Sequence, residues 1–581
     1  MAVLGIHDAH DAGAALVHKG DVVGAINEER FTKLKNDVGF PSNSIGYLSK
    51  MGELEAIDSV AVPWIGGSAL FARIFPSLEV KRRKLWRKEV SKPSRFNMKL
   101  RNMVFKVVQD QRPQWLWRTA GQEIGSTVLG RKLKALGINS KINFVNHHAA
   151  HAASAYYSSG FKEALVITLD GAGDGLSGSV SIGDNGKLTR INEFKASASL
   201  GILYGAATIA CDMRYSEDEG KLMSLAAYSF PCEIKELEDI SRYDPKTKQL
   251  VSNCKEKFEF LLAEWMKDNL LWKRSREEFA YAVQKHVQEQ VLAIIKHHIK
   301  ETKIRKVAVA GGLFSNIIIN MLIDRLPEVD DFFVFPHMGD GGLAIGAAYL
   351  TDFNENGKIC GDQINNLYYG PEYTDKEIEE VLKRYKKSAG IKYEESSDIA
   401  SRAADEIASG EVMLWFQGRM EYGPRALGNR SVLSLPSSQE NRDKINLIIK
   451  KRPYYQPFAS SMLKEDARKL LEPFKRENRF MTVGYAVKKG HWPDLMAASH
   501  IDGTTRPQML GDENKPYRRL LERIRKKTGY GALLNTSLNK HGRPMVMDPQ
   551  DAIWTLLNTG ASKLAIGNFM VEKNKKTSNK N

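Results

Sequence analysis

The sequence predicts an α/β protein of two domains, and the larger, N-terminal domain contains two copies of one strand-rich unit. The first copy is LGIHDAHDAGAALVHKGDVVGAINEER at 4–30, and the second is LVITLDGAGDGLSGSVSIGDNGKLTRI at 165–191. Each copy alternates apolar residues around two turns rich in glycine and acidic residues, which is typical of β-hairpins. A chain of 581 residues also exceeds what one hydrophobic core supports.

Glycine turns at the same place in two copies indicate how the N-terminal domain could hold a phosphate. A duplicated hairpin unit with such turns is typical of actin-like and sugar-kinase-like folds. Two later stretches, at 305–323 and 331–350, each predict a buried strand, a glycine turn and an apolar helix. Glycines allow close backbone approach, and helix N-termini favour anions. The predicted nucleotide-binding residues are Gly171, Gly173, Gly311, Gly312 and Asn316. Ordinary packing turns are the alternative.

Composition shifts place the domain boundaries. We expect the first domain at 1–355, with a helical insertion at about 65–135, and a second, mixed α/β domain at 356–570. The polar stretch TDFNENGK at 351–358 marks the crossing between them. Residues 571–581 lack apolar periodicity, so we expect a disordered tail.

Overall composition indicates a soluble cytoplasmic protein. Hydrophobic residues make up 42% of the chain and charged residues 27%. The four cysteines form no CxxC pair, which favours a reducing compartment with free thiols. The sequence has no pattern of a secretory signal and no apolar run long enough to span a bilayer.

Positive charge is concentrated in one segment. Between Lys81 and Lys134 there are sixteen Lys or Arg residues and three acidic ones. This local excess of thirteen positive charges accounts for most of the net formal charge of +16. Trp86, Trp115 and Trp117 alternate with these charges. Such a surface suits phosphates, lipid headgroups or RNA. A solvated helical insertion is the alternative.

A metal site is predicted from the stretch NHHAAH at 146–151. Positions i and i+4 of a helix share one face, so His147 and His151 can bind one cation while Asn146 caps the helix. Asp170 ends the strand-like LVITLD and could complete the set. Imidazole and carboxylate ligands suit Fe(II), Mn(II) or Zn(II). The alternative is a polar helix start with hydrogen-bonded histidines.

Ten stretches in the same order give the chain a family resemblance. They are HDAGAAL, NEERFTKLK, NHHAAHAASAYYSSGF, TLDGAGDG, EGKLMSLAAY, AGGLFSN, HMGDGGLAIGAA, GRMEYGPRALGNRS, HIDGTTRPQ and LLNTSLNKHGRPMV. Over nearly its whole length the chain resembles the O-carbamoyltransferases found in nodulation-factor, cephamycin and aminoglycoside biosynthesis.

This resemblance implies a fold, an activity and cofactors. The N-terminal domain would be actin-like (ASKHA, Kae1-like, with duplicated ribonuclease-H-like halves), and the C-terminal domain would be YrdC-like. Carbamoyl phosphate and ATP, with Mg²⁺, would give carbamoyl-adenylate in the C-terminal domain. The N-terminal domain would then transfer the carbamoyl group to a saccharide hydroxyl. Fe²⁺ is the favoured metal, with Mn²⁺ and Zn²⁺ as alternatives.

The resemblance also assigns roles to residues. His10 would be the general base, with Asp11 orienting it and Lys35 adding a cation to the pocket. The metal would be held by His147, His151, Asp170 and Asp340. Polyanionic substrates need fixed cations and polar turns. The C-terminal candidates are Arg425, Arg430, Lys450, Arg452, Gln456, Arg506, Asn535, Thr536 and Ser537.

Three positions depart from the family pattern. Asn36 stands where a histidine is usual, and Pro453 and Gln456 stand where many members carry Glu and Arg, which removes one cation from the pocket. The basic segment motivates a hypothesis that the acceptor is a large anionic glycan, such as a phosphorylated lipopolysaccharide core sugar. The protein would then contact an anionic glycolipid at the inner face of a membrane.

Two other functions stay open. The chain could be a tRNA-modifying carbamoyl or threonylcarbamoyl transferase that uses the basic segment as its RNA platform. It lacks the compact RNA-binding motifs, which disfavours nucleic acid as a partner. Alternatively, it could be a non-catalytic, actin-like nucleotide-binding scaffold. Its concentrated polar and glycine-rich motifs argue against this second alternative.

Overall fold

The chain folds into two compact units in a computed structural model, which describes residues 1–51, 57–65, 73–88, 114–255, 259–357 and 362–574. The first unit contains Met1–Glu29 and Asn36–Ile364, and the second contains Arg30–Lys35 and Asn365–Asn581. The first unit continues past residue 355 because Ile364 N donates a hydrogen bond of 3.1 Å to the Ser158 carbonyl.

A short early segment of the chain, Arg30–Lys35, packs with the second unit. The guanidinium of Arg30 donates a buried hydrogen bond of 2.9 Å to the Gly423 carbonyl. Lys33 forms ion pairs with Asp548, at 3.4 Å, and with Asp551. These contacts, between residues about 400 to 500 positions apart, are invisible to local sequence patterns.

Two five-stranded sheets with the same strand order form the centre of the first unit. The first sheet has the order β3-β2-β1-β4-β5. Its strands are Ala2–His7 (β1), Gly13–His18 (β2), Asp21–Asn27 (β3), Ser59–Pro63 (β4) and Lys141–Val145 (β5). β1, β2 and β3 pair antiparallel, as predicted from the first hairpin unit, whereas β1, β4 and β5 pair parallel.

The second sheet repeats this arrangement, with the order β8-β7-β6-β11-β12. Its strands are Glu163–Gly173 (β6), Leu176–Asp184 (β7), Lys187–Lys195 (β8), Lys306–Ala310 (β11) and Asp331–Val334 (β12). Its pairing directions match those of the first sheet. The predicted duplication, and with it the actin-like N-terminal fold, is confirmed. A separate hairpin joins Arg242–Asp244 (β9) to Gln249–Val251 (β10).

Twelve described helices accompany the strands as far as residue 356. They are Glu29–Thr32 (α1), Ser42–Leu48 (α2), Pro76–Trp86 (α3), Gln114–Ala135 (α4), His147–Ser159 (α5), Leu200–Ala210 (α6), Glu219–Ala226 (α7), Leu237–Ile240 (α8), Glu259–Asn269 (α9), Arg276–Thr302 (α10), Ile317–Arg325 (α11) and Leu343–Asn356 (α12).

Two glycines let helix α12 pack closely on both β1 and α5. A Cβ atom on Gly5 of β1 would lie 1.9 Å from the Ala344 carbonyl oxygen. A Cβ on Gly346 would lie 1.9 Å from the Ala150 carbonyl oxygen of α5. Only glycine permits such backbone contact. The N-terminus of α12 is thereby held beside the end of β1 and the first turn of α5.

An eight-stranded sheet forms the centre of the second unit. Its order is β13-β23-β22-β14-β15-β21-β16-β20. Its strands are Ile391–Glu395 (β13), Met413–Phe416 (β14), Arg430–Ser434 (β15), Ala459–Leu463 (β16), Pro507–Leu510 (β20), Ala532–Ser537 (β21), Lys563–Ile566 (β22) and Phe569–Lys573 (β23). A small sheet contains Leu471–Glu472 (β17), Tyr485–Val487 (β18) and Thr504–Thr505 (β19).

Both faces of the eight-stranded sheet are buried. Leu414 and Phe416 of β14 pack into one core, and the alternating residues Met413 and Trp415 pack into another. The α-helices of this unit are Asp375–Ala389 (α13), Ile399–Ala408 (α14), Gln439–Asp443 (α15), Lys464–Leu470 (α16), Trp492–Leu495 (α17), Lys515–Thr528 (α18) and Pro549–Leu557 (α19). The predicted mixed α/β class is confirmed.

The C-terminal end differs from the expected disordered tail at 571–581. Strand β23 continues through Lys573, because residues 569–573 pair antiparallel with β13. The rest of that tail, 575–581, lies outside the described residues. Among the helices that the structure describes, none is both long and apolar enough to cross a membrane.

Candidate functional site

The four side chains predicted to bind a metal converge in the first unit. His147, His151, Asp170 and Asp340 each offer one ligand atom, and these atoms all lie within 4.8 Å of one another. The two imidazoles stand one turn apart at the start of α5, with ring centroids 4.7 Å apart. Asn146 caps this helix, since its side chain accepts a backbone N–H of the first turn. The sequence therefore predicted this convergence correctly.

The nitrogen-to-oxygen distances in this cluster are longer than ordinary hydrogen bonds. His147 Nε2 lies 3.5 Å from Asp170 Oδ2 and 3.7 Å from Asp340 Oδ1. His151 Nε2 lies 3.4 Å from Asp340 Oδ1. Within the described part of the chain, both Nε2 atoms are buried without a hydrogen-bond partner. Such orphaned atoms are costly unless something else satisfies them.

A divalent cation fits this donor set. Burial raises the pKa of Asp340, but the imidazoles of His147 and His10 outweigh burial and hold it well below its usual range. Asp170 also has a lowered pKa, because the neighbouring imidazoles of His147 and His151 outweigh burial and the neighbouring Asp340. Two anionic carboxylates facing two imidazoles match the ligands of first-row divalent metals.

The predicted general base, His10, shares Asp340 with the metal cluster. Its Nε2 lies 3.2 Å from Asp340 Oδ2, and its Nδ1 lies 3.2 Å from Asp11 Oδ2. Burial lowers the pKa of His10, but the charges of Asp340 and Asp11 outweigh burial and raise it to about 9. A cation bound at Asp340 would offset part of the negative charge that causes this rise.

Buried neighbours fix the loop that carries His10. His7 is fully buried, and its Nε2 lies 2.8 Å from the His10 carbonyl oxygen. Asp8 accepts two hydrogen bonds from Arg73, of 2.7 and 3.0 Å, and both side chains are buried. Sequence reasoning missed this ion pair, because Asp8 and Arg73 are 65 positions apart.

Two of the predicted nucleotide-binding glycines shape the metal cluster. Gly312 N donates a hydrogen bond of 2.8 Å to Asp170 Oδ1. Gly173 lies against the His147 ring, where a Cβ would come within 2.2 Å of two ring carbons. These two glycines position metal ligands, so their backbone is already engaged with the cluster.

The other predicted nucleotide-binding residues lie around the same turns. Gly311 has φ +105°, and a Cβ there would meet the Leu169 carbonyl oxygen at 2.2 Å. A Cβ on Gly171 would lie 3.8 Å from the Tyr215 hydroxyl, an ordinary contact distance. Asn316 is buried, caps α11 and exchanges hydrogen bonds with Gln284 at 2.8 and 3.2 Å. The Asn316 side chain is therefore committed to its helix cap.

Two residues around the cluster were not singled out from the sequence. Asp174 accepts the His147 backbone N–H at 2.9 Å, which holds the first turn of α5. His148 points away from the ligands, with Nδ1 2.9 Å from Thr168 Oγ1 and Nε2 3.1 Å from the Leu176 carbonyl oxygen. The stretch TLDGAGDG contains Asp174, so the signal was present but did not distinguish it from a turn residue.

Lys35 belongs to the second unit, where its charge adds to burial and Arg452 in lowering the pKa of Lys450. Its predicted role beside His10 and Asp11, which belong to the first unit, stays a prediction. The next residue, Asn36, returns to the first unit, has φ +52° and donates a hydrogen bond of 3.1 Å to the Ser216 carbonyl. Asparagine tolerates this left-handed conformation better than most residues.

A cluster of cations in the second unit contains four predicted ligands. Burial and the charges of Arg425 and Arg452 hold the pKa of Arg506 well below its usual range. Burial lowers the pKa of Arg425 to about 10, and burial with the charge of Arg442 lowers that of Arg452 to about 9. Burial and the charges of Arg452 and Lys35 hold the pKa of Lys450 well below its usual range. The cations thus repel one another.

Acidic partners do not neutralise this cluster. In the described part of the chain, no carboxylate forms an ion pair with Arg425, Lys450, Arg452 or Arg506. The Nε of Arg506 and the Oε1 of Gln456 are buried there without a hydrogen-bond partner. Arg452 donates a hydrogen bond of 2.7 Å to the side-chain oxygen of Asn446. Uncompensated, partly buried cations of this kind suit a polyanionic ligand.

Arg430 differs from these four cations, because its side chain contacts backbone carbonyls and an aromatic ring of the protein. Its side chain is fully buried and stacks on the Phe416 ring at 3.6 Å. It donates hydrogen bonds to the backbone carbonyls of Gln417 at 2.6 Å and of Gly418 at 3.1 Å. Its guanidinium therefore stabilises the loop before β15, which the motif pattern could not reveal.

The predicted polar turn at 535–537 lies at the end of β21. Lys450 donates hydrogen bonds to the carbonyl and the hydroxyl of Ser537, the latter at 3.3 Å. Asn535 is buried and donates a hydrogen bond of 2.8 Å to Ser461 Oγ, and its side-chain oxygen has no partner among described residues. Thr536 is half-buried on the same strand, opposite Val432. The structure thus brings Lys450 and Ser537 together.

Glu421 organises the loop that carries Arg425, a role that was not predicted from the sequence. Its buried Oε1 accepts backbone N–H groups from Leu427 at 2.8 Å, Asn429 at 2.7 Å and Arg430 at 3.0 Å. Three such hydrogen bonds to a charged acceptor fix the loop strongly. The motif GRMEYGPRALGNRS could have suggested this role, because its single acid precedes a glycine-rich turn.

The basic segment is only partly described. Its helix α3 carries Lys81 and Lys84 as exposed side chains, and Lys88 is exposed just after the helix, whereas Trp86 is buried. Residues 66–72 and 89–113, and the side chains of Trp115 and Trp117, lie outside the described residues. In the described part of this segment, exposed cations therefore occur on α3 and, with Arg131 and Lys134, on α4.

Comparisons with known proteins match most of both units to one protein family. Residues 2–349 match the protein family described as "Carbamoyltransferase N-terminus", and residues 404–573 match "Carbamoyltransferase C-terminus". Nodulation protein NolNO of Sinorhizobium fredii is 32% identical over 576 residues, which cover 97% of this chain and 79% of that protein. The 3'-hydroxymethylcephem-O-carbamoyltransferase of Amycolatopsis lactamdurans is 32% identical over 270 residues, covering 46% and 48%. A solved structure of T. kodakarensis HypF covers 62% of this chain and 49% of its own, with 12% identity and a TM-score of 0.36.

Proposed function

The chain belongs to the carbamoyltransferase family, and from that premise we propose that it is an ATP-dependent O-carbamoyltransferase acting on a saccharide hydroxyl. The observation that carries this proposal is the uncompensated cation cluster of Arg425, Lys450, Arg452 and Arg506 in the second unit. A family relative, the cephem O-carbamoyltransferase, supports transfer to oxygen.

The first step is activation of the carbamoyl group in the second unit. Carbamoyl phosphate, ATP and water give carbamoyl-adenylate, phosphate and pyrophosphate. Burial and mutual repulsion depress the pKa of Arg506 and Lys450, and both substrates are polyanions, so their binding stabilises the charged forms of these side chains. The unpartnered Oε1 of Gln456 and Oδ1 of Asn535 can accept hydrogen bonds from a carbamoyl NH₂ group.

The second step is transfer in the first unit. The acceptor hydroxyl loses its proton, its oxygen bonds to the carbamoyl carbon, and the bond from that carbon to the adenylate oxygen breaks, which releases AMP. His10 removes the proton, and Asp11, 3.2 Å from its Nδ1, orients the ring. Once bound by His147, His151, Asp170 and Asp340, a divalent metal would supply Lewis-acid stabilisation of negative charge.

The acceptor we propose is a saccharide, and an anionic glycan is the favoured type. The exposed lysines of α3 support this choice, because fixed positive charge attracts an anionic ligand. Trp86, on the same helix, packs against His10 with ring centroids 5.6 Å apart. Helix α3 is therefore adjacent to the proposed base.

A product-release assay tests this function. Metal-loaded protein is incubated with carbamoyl phosphate and ATP, first without acceptor and then with candidate glycans, and AMP, pyrophosphate and phosphate are measured. We expect pyrophosphate release that depends on carbamoyl phosphate, and AMP release with carbamate-ester product when an acceptor is added. Carbamoylated tRNA identified by product mass would instead support a tRNA-modifying enzyme. Absence of any carbamoyl-phosphate-dependent pyrophosphate release would contradict the proposal.

A further inference from the structure

Trp64, the residue directly after β4, has a strained backbone beside the metal cluster. Its φ is +115°, a conformation that costs free energy for any residue except glycine. Trp64 N donates a hydrogen bond of 2.8 Å to the Val145 carbonyl, and Ile65 N donates hydrogen bonds of 3.1 and 3.2 Å to the Asp174 carboxylate. Strained residues that their surroundings hold in place occur mainly at functional sites. Here the strain holds a large aromatic side chain where glycine would fit at no cost.

The Trp64 side chain packs against two imidazoles of the site. Its ring lies edge-on to that of the metal ligand His147, with centroids 5.6 Å apart, and to that of His7, with centroids 6.1 Å apart. His7 in turn holds the loop of the proposed base, because its Nε2 lies 2.8 Å from the His10 carbonyl oxygen. The indole therefore contacts both the metal cluster and the residue that fixes the base.

The indole N–H of Trp64 is a buried donor without a partner. Only 6% of the residue is exposed, and its Nε1 has no hydrogen-bond partner in the part of the chain that the structure describes. The Nε2 atoms of His147 and His151 share this property. A metal would satisfy those two imidazole nitrogens, but an indole nitrogen can only donate a hydrogen bond. The Trp64 N–H therefore needs an acceptor atom, which a ligand at this cluster would supply.

Two other buried tryptophans show how an indole N–H is satisfied within the protein. Trp86 is also 6% exposed, and its Nε1 donates a hydrogen bond of 3.3 Å to Glu259. Trp415 is fully buried, and its Nε1 donates a hydrogen bond of 2.8 Å to the Gly428 carbonyl. Burial alone therefore does not explain the unpartnered donor of Trp64.

We infer that the Trp64 indole N–H donates a hydrogen bond to the carbamoyl oxygen of carbamoyl-adenylate at the metal cluster. This inference rests on the proposed function and adds a substrate-contacting residue to it. A single neutral donor suits a carbonyl oxygen, whereas phosphates are bound mainly by cations and backbone amides.

Such a donor would act during carbamoyl transfer. As the acceptor oxygen bonds to the carbamoyl carbon, the electron pair of the C=O bond moves onto the carbamoyl oxygen. A donor held in place by its backbone stabilises this negative charge without rearranging. The electron pair returns when the bond to the adenylate oxygen breaks, and the indole keeps its proton throughout.

The NMR signal of the Trp64 indole N–H tests the inference. The full chain is labelled with ¹⁵N-tryptophan and loaded with diamagnetic Zn²⁺. The signal is assigned by its loss in Trp64→Phe, or in Trp64→Tyr if the first variant does not fold. The probe is 5′-O-(N-carbamoylsulfamoyl)adenosine, a stable analogue of carbamoyl-adenylate, and its control is 5′-O-sulfamoyladenosine, which lacks the carbamoyl group. We expect the Trp64 indole proton to shift downfield with the carbamoylated probe alone, while the signal of the exposed Trp272 stays in place.

Two outcomes of the titration would overturn the inference. An equal shift with both probes would show that the N–H contacts the nucleotide, and no shift with either would show that it contacts neither ligand. Both probes bind without turnover, so the result does not depend on formation of carbamoyl-adenylate. Pyrophosphate release without acceptor is measured separately, and its absence refutes the proposed function.

Thermal unfolding of the ligand-free protein gives a second measurement. Trp64→Phe and Trp86→Phe remove the same part of an indole from equally exposed positions of the first unit. Only Trp86→Phe also breaks a hydrogen bond between described side chains, so it should lower Tm more than Trp64→Phe does. An equal or larger loss in Trp64→Phe would show that the Trp64 N–H already has a partner in the protein, and the inference would be wrong.

Discussion

Replacing Asp340 with asparagine should remove the metal from the first unit. Asp340 Oδ1 faces His151 Nε2 at 3.4 Å and His147 Nε2 at 3.7 Å, and its Oδ2 faces His10. Asp340→Asn keeps the shape and one oxygen ligand but removes one of two negative charges in the cluster. Metal affinity should therefore fall although the fold is retained.

The size of this loss follows from the buried geometry. Two unit charges about 4 Å apart interact by roughly 4 kcal/mol at an effective dielectric constant of about 20. The neutral amide oxygen recovers part of this, so we expect about a 10²-fold to 10³-fold rise in the metal Kd, since about 1.4 kcal/mol corresponds to tenfold. The assay is anaerobic titration with Fe²⁺, Mn²⁺ and Zn²⁺, with bound metal counted after dialysis.

Asp11→Asn provides the matched control for this experiment. Asp11 contacts His10 at 3.2 Å but lies outside the four metal ligands. Its amide variant should slow carbamoyl transfer yet bind metal with unchanged affinity. If Asp340→Asn bound each metal as tightly as the unmodified protein, the assignment of this cluster as a metal site would be refuted.

Three further predictions address the base, the cation cluster and a buried acid. His10→Asn should lower the rate of transfer by about 10²-fold to 10⁴-fold, measured as AMP release, while leaving acceptor-independent pyrophosphate release intact; equal loss of both rates would contradict a base role. Arg506→Ala should raise KM for carbamoyl phosphate by about tenfold or more. It should not lower Tm, because it relieves repulsion from Arg425 and Arg452. Arg430→Ala is the contrast: it should lower Tm, because it removes buried hydrogen bonds to Gln417 and Gly418. Burial raises the pKa of Glu219 from 4.5 to about 7, so the native state holds a proton that the unfolded state has lost, and stability falls as pH rises between these values. Glu219→Gln removes this dependence. In denaturant titrations, the free energy of unfolding of the variant minus that of the unmodified protein should therefore rise by up to about 3 kcal/mol from pH 4 to pH 8. A difference that stays constant over this range would show that Glu219 titrates normally.

Local patterns in the sequence were sufficient for much of the fold. Alternating residues and glycine turns predicted the antiparallel hairpins β1 to β3 and β6 to β8, because these pairings join neighbouring segments of the chain. The i, i+4 spacing of His147 and His151 predicted their shared helix face for the same reason. Strand order, by contrast, depended on long-range parallel pairing, which no local pattern encodes.

The candidate site shows where residue type was insufficient. Arg425 and Arg430 occur in one motif and were predicted to share a role. Arg430, however, donates buried hydrogen bonds to backbone carbonyls, whereas Arg425 has no acidic partner among the described residues. Lys35 was predicted to add a cation to the pocket of His10; its segment belongs to the second unit, and this role stays a prediction. Burial and distant partners decide such roles, and both arise only on folding.

Sequence alone determined the chemistry available to this protein: the paired imidazoles, the aspartates at glycine turns, the arginine-rich second domain and the family they indicate. The tertiary structure alone decided which of these groups meet. Gly5 and Gly346 allow α12 to pack against β1 and α5, and this packing brings Asp340 to His10, His147 and His151 from three distant parts of the chain. The physical reason is that electrostatic and ligand interactions act over a few ångströms in space, whatever the separation of the residues along the chain.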